Sequence, residues 1–223
     1  MTRTAGRFIV VEGPDGAGKS VLVAALADRM RAEGHEPVVV REPGGTKLAE
    51  ALRQELLDRS RPFRPLTELL YITAARADHV HHVIEPALAG GGIVLSDRFD
   101  LSTLAYQVAG RGISLETAQL FNQAATGGLR PDLTLVIDVP ARVGMERQVA
   151  AGKRQDRLDL EDSAFQSRVV AAYLAAEGPG VRHLDGTAPP AEVAESAWRL
   201  IGERWPDIFR PPEDSRSRGG RNQ

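Results

Sequence analysis

The chain has 223 residues, 42% hydrophobic and 5% aromatic, and a formal net charge of −2 at pH 7. That length supports one substantial core, and the near-neutral charge gives no reason to expect nucleic acid or an anionic membrane as a partner. With no cysteine there is neither a disulfide nor a thiolate metal site; no signal peptide precedes the first strand pattern, and no apolar run approaches the roughly 20 residues of a membrane span, so the sequence reads as soluble and cytoplasmic.

In chain order, the first predicted strand is Arg7–Glu12, and Gly13-Pro14-Asp15-Gly16-Ala17-Gly18-Lys19-Ser20 follows it directly. This is a complete G-x-x-x-x-G-K-S phosphate loop in its required context, since Leu22, Ala25, Leu26 and Met30 give the next segment, Lys19–Ala32, a helical face. The glycines let successive backbone N–H groups point at one anion. Lys19 adds a mobile charge for the outer phosphates, and the Ser20 hydroxyl can take a place on Mg²⁺. Further strand patterns fall at Glu36–Val40, Gly92–Ser96, Leu133–Val139 and Val181–Leu184. Helix patterns fill the gaps at Leu48–Leu57, Thr67–Leu88, Leu115–Ala125, Ala141–Ala151, Glu161–Ala176 and Pro190–Arg204. Continuous apolar strands alternating with helices predict an α/β domain over residues 1–209, its parallel sheet buried on both faces and its ligands held beyond the carboxyl ends of the strands. Residues 210–223 (RPPEDSRSRGGRNQ) lack periodicity and read as a disordered polar tail.

The chemistry-bearing residues do fall just after strands. Arg41-Glu42-Pro43-Gly44-Gly45-Thr46 follows the second, where an arginine before a glycine turn can meet an anion beside the phosphate loop. Ser96-Asp97-Arg98 ends the third; Asp97 can hold Mg²⁺ through water and Arg98 can clamp a phosphate. Gly152-Lys153-Arg154-Gln155-Asp156-Arg157 lies between two helices and reads either as a basic lid over the transferring phosphate or as an ordinary solvated turn. His79 and His82 lie one turn apart on one predicted helix, but with no third ligand in view a solvated or interface face is favoured over a metal site.

The ordered set FIVVEGPDGAGKS, REPGGT, LLYITAARADH, LSDRFDLSTLAYQ, GRGIS, RPDLTLVIDV and DRLDLE resembles the thymidylate kinase family from about Phe8 to Trp205. The resemblance implies a P-loop nucleoside monophosphate kinase fold with a five-stranded parallel sheet and a short lid, usually as a homodimer. It also implies transfer of the γ-phosphoryl group of MgATP to a deoxypyrimidine 5′-monophosphate, with dTMP first and another 5-substituted deoxyuridylate second. By position, Gly13, Gly16, Ala17, Gly18, Lys19 and Ser20 match the ATP phosphate site, Ser20 and Asp97 the Mg²⁺ site, and Thr187 the turn near adenine. Asp15 matches the group on the acceptor's 3′-hydroxyl, Arg41 and Arg98 those on its phosphate, and Arg76 the arginine at the base edge. Tyr106 matches the ring that crowds the 2′ position, while Thr103 and Gln107 match polar groups of the nucleoside pocket. Arg157, with Lys153 and Arg154, occupies the lid; Lys19, Arg98, Arg157 and Asp97 form the catalytic set. Gly16 stands where some members carry an arginine, and in that subclass the lid supplies the charge. Ile72 stands where the family places a phenylalanine that stacks on thymine; stacking is worth roughly 1–3 kcal/mol, so the acceptor's base is the property this position bears on. A non-catalytic nucleotide-binding regulator is the reading from another class. No Asn-Lys-x-Asp guanine-reading motif supports it, and it leaves the acceptor arginines unexplained.

Overall fold

A computed structural model of the protein describes residues 6–152 and 156–209. Lys153, Arg154 and the polar tail expected at 210–223 lie outside those residues.

Five parallel strands, β1 (Arg7–Glu12), β2 (Val38–Arg41), β3 (Ile93–Asp97), β4 (Leu133–Asp138) and β5 (Val181–Asp185), form one sheet in the order β2-β3-β1-β4-β5. The central strand shows why: its side chains alternate between two buried faces. Ile9 and Val11 join one cluster and Phe8 and Val10 the other, as period-2 geometry requires when both faces are covered. On the first face lie α1 (Lys19–Ala32) and α9 (Pro190–Arg204), with Leu22, Leu26, Met30, Trp198 and Ile201 packed on Ile9, Val11, Leu135 and Ile137. The other face carries Val80, Ile84 and Phe99 over β1 and β3, and Tyr106, Phe165, Val169 and Tyr173 over Val136 of β4.

Between strands run α2 (Lys47–Leu57), α3 (Pro65–His79), α4 (Glu85–Ala89), α5 (Asp100–Thr103), α6 (Leu115–Thr126), α7 (Ala141–Ala150) and α8 (Ser163–Leu174). Several starts carry their own caps: Thr46, Ser114 and Asp162 side chains accept from Ala49, Thr117 and Phe165 amides. Two expectations about helices are corrected. The single helix expected over Thr67–Leu88 is divided into α3, a π-helical segment Val80–Ile84, and α4. Pro86 has no N–H to give to the ladder, and the wider turn before it accommodates the missing donor. The segment after β3, assigned no helix from its pattern, forms α5 and a second π-helical segment, Leu104–Gly110. Its start is capped from a distance: Glu12 Oε1 accepts from the Phe99 and Ser102 amides at 2.8 and 3.1 Å. No local signal could announce a cap supplied from β1.

β1 lies between β3 and β4, so the chain leaves it in one direction and returns on the other side. That switch point opens a crevice at the carboxyl ends, where the phosphate loop sits.

Candidate active site

The crevice holds a cavity of about 720 Å³ running from the phosphate loop to α3 and α5 on one side and to residues 186–193 on the other. Asp15 to Leu22, Arg41, Ile72, Arg76, Asp97, Arg98, Thr103, Tyr106 and Gln107 line it, so one space joins most of the residues singled out from the sequence.

The loop is tightly seated. Gly16 has φ +77°, and a Cβ there would run into the carbonyl of Gly144 in α7. An arginine cannot occupy this position without displacing α7, which accounts physically for the glycine. Gly144 makes the reciprocal contact, since its own Cβ would strike the Asp15 carbonyl. Gly144→Ala is therefore an informative test. In a free helix alanine is better than glycine by about 1 kcal/mol, but overpacking against fixed backbone costs typically about 1–3 kcal/mol. The clash is expected to win, lowering the melting temperature and weakening ATP binding in calorimetry. Equal or greater stability with unchanged ATP affinity would show that α7 does not brace the loop.

Lys19, only 7% exposed, donates to the Gly13 and Pro14 carbonyls at 3.1 and 2.9 Å and stands 4.0 Å from Asp15 Oδ1. Burial, with the Arg98 charge nearby, lowers its pKa to about 8. An anion on the loop restores the charged form, so the complex holds more protons than the free protein above that pH. MgATP affinity is expected to be flat below pH 7 and to weaken above pH 8 by up to about tenfold per pH unit, read by titration calorimetry. The sign for the ligand-free fold is opposite to that for affinity. The unfolded chain keeps its proton up to the ordinary 10.5, so stability rises with pH between about 8 and 10.5. An ATP affinity independent of pH from 7 to 9.5 would contradict the assignment.

Ser20 Oγ donates to Asp97 Oδ2 at 2.7 Å. A hydroxyl and a carboxylate at the cavity mouth fit Mg²⁺, which takes few protein oxygens and keeps waters and phosphate oxygens as its other ligands. Among the described residues no cluster of three or more His, Cys, Asp or Glu could hold a metal.

Arg98 is the hub. Its backbone has φ +76°, unusual for a residue with a side chain. Nη1 donates to Gly13 O, Ser102 Oγ and Tyr173 Oη at 3.2, 3.1 and 2.9 Å, and Nη2 to Asp15 Oδ1 and Tyr106 Oη at 2.5 and 3.2 Å. Tyr106 Oη in turn donates to Asp15 Oδ2 at 2.8 Å. Behind the hub, Ser102 and Tyr173 hydroxyls donate to Glu12 Oε2 at 2.7 and 3.1 Å. Burial raises the Glu12 carboxyl pKa despite the opposing Arg98 charge, and burial pushes the Tyr106 and Tyr173 hydroxyls well above the usual phenol value.

Arg41 Nη2 meets both Glu50 oxygens at 2.9 Å, and Glu50 also accepts from the Gly45 amide at 3.0 Å. That amide bond, ahead of the arginine, lowers the Glu50 pKa. Arg53 of α2 joins the same wall and donates to Pro43 O at 2.9 Å. Its pKa is lowered by burial and then by Arg41, with Arg98 also contributing. Three guanidinium groups thus line the cavity beside the phosphate loop, with Arg98 bonded to it. Arg53 carried no sequence signal, because nothing local tells which face of α2 looks inward.

Arg76, 2% exposed, donates to Glu42 Oε2 at 2.7 Å, Thr103 Oγ1 at 2.9 Å, Phe99 O at 2.8 Å and Asn122 Oδ1. Ile72 lies one turn before it in the cavity wall, whereas the adjacent Tyr71 stacks edge-on against Phe63 with centroids 4.9 Å apart.

Some residues are not brought to the cavity. Arg157 points away from the phosphate loop: its Nη2 binds Glu68 Oε2 at 2.7 Å, its Nε binds Leu56 O at 2.9 Å, and its guanidinium covers Phe63. A buried carboxylate claims it, and it serves as a strut between the 156–161 segment and α2–α3. Among the described residues, Arg147 of α7 brings a cationic group to the cavity at that end. Thr187 turns its hydroxyl to Asp185 Oδ1 at 2.6 Å, while Gly186 and Ala188 on either side line the cavity. His79 is fully buried beside Glu42, with its ring against Gly45, rather than on a solvated face; His82 is exposed and bonds Asp78.

Comparison with known proteins agrees with this arrangement. The sequence profile of the family described as Thymidylate kinase matches residues 11–196. A protein of Thermomicrobium roseum named Thymidylate kinase is 48% identical over 199 residues, covering 88% of this chain and 94% of the relative. Its namesake from Pseudomonas fluorescens (strain SBW25) is 49% identical over 200 residues, covering 88% and 95%. That from Synechococcus sp. (strain JA-2-3B'a(2-13)) is 46% identical over 202 residues, covering 89% and 96%. With a phosphate loop, a facing set of arginines and relatives this similar along their full length, the chain belongs to the thymidylate kinase family.

Proposed function

We propose that the protein transfers the γ-phosphoryl group of ATP to dTMP, giving dTDP and ADP, in the cavity between the phosphate loop and α3. The observation that carries this reading is that Arg41, Arg53 and Arg98 line one space together with Lys19. A second anionic group needs such a set, and a nucleotide-binding switch does not. In this scheme the phosphate-loop amides and Lys19 hold the donor phosphates, and Gly186, Ala188 and Arg147 border the adenine end. Ser20 and Asp97 would hold Mg²⁺, which would supply neutralisation of phosphate charge. Arg98 and Arg41, with Arg53, orient the acceptor phosphate, and Asp15 accepts from the acceptor's 3′-hydroxyl. Tyr106, fixed by Asp15 and Arg98, leaves little room for a 2′-hydroxyl. Ile72 packs on the base where a ring would stack. Phosphoryl transfer asks mainly for alignment and charge neutralisation. The acceptor phosphate is ionised near neutral pH, its second pKa being about 6, so no general base is assigned. A cytoplasmic homodimer, with Lys153 and Arg154 on the donor phosphates, completes the reading.

The test is a coupled ADP-release assay across nucleoside monophosphates. The expected result is turnover with dTMP at the highest kcat/KM and weak turnover with ribonucleotides. Absence of ADP release with any monophosphate, despite ATP binding, would favour the regulatory alternative. A preference for another deoxypyrimidine would move the substrate and keep the reaction.

A further inference from the structure

Glu68 is fully buried on α3, two turns before Arg76, and the catalytic scheme above gives it no task. Its carboxylate is saturated by four donors. Oε1 accepts from Gln107 Nε2 at 2.8 Å and Arg111 Nε at 3.1 Å; Oε2 accepts from Arg111 Nη2 at 3.0 Å and Arg157 Nη2 at 2.7 Å. Burial alone would raise its pKa, but the bonds from Arg111 and Gln107 and the Arg111 charge hold it below the usual carboxylate value. An ionised carboxylate accepts and cannot donate. The Gln107 amide therefore has one permitted orientation, because turning it over would set two oxygens against each other in a buried site.

The consequence lies on the other side of the amide. Gln107 lines the cavity, and its Oε1 accepts no hydrogen bond among the described residues. Arg76 lines the same end and has five N–H groups, four of which are used on Glu42, Thr103, Asn122 and Phe99. One guanidinium donor and one amide acceptor are left for a base. A uracil or thymine edge, with N3–H beside a carbonyl, satisfies both. A cytosine edge, with a bare N3 beside an amino group, opposes both.

We propose that Glu68 is a specificity-determining positioning residue, which holds the Gln107 amide with Oε1 toward the acceptor base and so makes the site accept an imide edge and refuse an aminopyrimidine edge. This rests on reading the Ile72–Gln107 end of the cavity as the acceptor-base site. Glu68 touches no substrate and acts through Gln107. In Glu68→Gln, the new amide can donate to Gln107, which is then free to turn its own NH₂ toward the base.

The test is kcat/KM for dTMP, dUMP and dCMP in wild type, Glu68→Gln and Gln107→Leu, with N3-methyl-dTMP as a further acceptor for wild type. Wild type is expected to favour dTMP over dCMP by at least about 100-fold, since a site built to hydrogen-bond a group rejects the analogue that leaves it unpaired. Glu68→Gln is expected to lower dTMP activity about 10- to 100-fold through acceptor KM. ATP KM and dCMP activity should hold, so the dTMP/dCMP ratio falls at least about tenfold. Equal losses on dTMP and dCMP would overturn the proposal, because a merely structural role moves both together. Gln107→Leu, which leaves the Glu68–arginine pairs in place, must collapse the same ratio, and an unchanged ratio would also overturn it. N3-methyl-dTMP must be at least about 100-fold poorer than dTMP in wild type; equal turnover would show that Gln107 receives no N3–H. A wild type inactive on both dTMP and dUMP removes the acceptor reading itself, and that outcome is distinct from an active, selective wild type whose selectivity survives Glu68→Gln.

Discussion

Replacing Lys19 with alanine is expected to lower kcat by about 10²–10³ while leaving the protein folded. The ammonium is held inside the loop by the Gly13 and Pro14 carbonyls, so it is already aimed before ATP arrives. Preorganised donors of this kind typically contribute about that factor when charge builds on a transferring group. The fold should not suffer, because Lys19 is a buried cation beside Arg98 whose charge is disfavoured there, as its lowered pKa records. Removing it relieves that repulsion and leaves a small pocket that water can fill. The expected melting temperature is unchanged or higher. Steady-state kinetics with thermal denaturation on the same preparations checks both halves. Near-normal kcat would mean that the loop does not hold the transferring phosphate, and unfolding would mean that Lys19 is chiefly a strut.

Arg98→Ala should be the more damaging change for kcat/KM, by about 10³ or more, because one side chain does two things. In the proposed scheme it meets the acceptor phosphate, and it fixes Asp15 and Tyr106, the groups that the scheme sets against the sugar. Its loss also leaves the Asp15 and Glu12 carboxylates without their shared cation, and a buried charge stripped of its partner typically costs about 3–5 kcal/mol. Lysine is a poor rescue, since one ammonium cannot span acceptors on both sides of a planar fork. The backbone adds a separate signature. At φ +76° a side-chain-bearing residue is strained by about 1–3 kcal/mol, and glycine is not. Arg98→Gly should therefore be as inactive as Arg98→Ala but melt at a higher temperature. If the alanine variant were the more stable, the local backbone would not be under strain. If either retained wild-type acceptor KM, Arg98 would not be the phosphate clamp.

Much of this protein is legible in its sequence because the signals are local. The phosphate loop announces itself through glycines, a lysine and a serine in fixed order between a strand and a helix pattern. The apolar runs of β1, β3 and β4 require burial on both faces, which in turn requires helices on both sides. Residues placed at the carboxyl ends of strands, such as Arg41, Asp97 and Arg98, fall at the cavity because parallel strands all end on the same side.

What the sequence could not decide depends on which distant groups meet. Arg157 reads as a lid cation, yet a carboxylate 89 positions away holds it outside the cavity. Arg53 and Arg147 carry no local signal, and it is the docking of α2 and α7 that brings them to the cavity. Gly144 looks like a weak point in a helix, and only the approach of the Asp15 carbonyl explains why no larger residue fits there. The helix after β3 starts where it does because Glu12 caps it from the central strand. Composition and periodicity determine the strands, most of the helices and the loop, since each rests on neighbours a few residues apart. The polarity of Gln107, the seat of Arg157 and the cap of α5 were decided only by tertiary structure, because buried charges and amides take whichever partners the packed chain brings within reach.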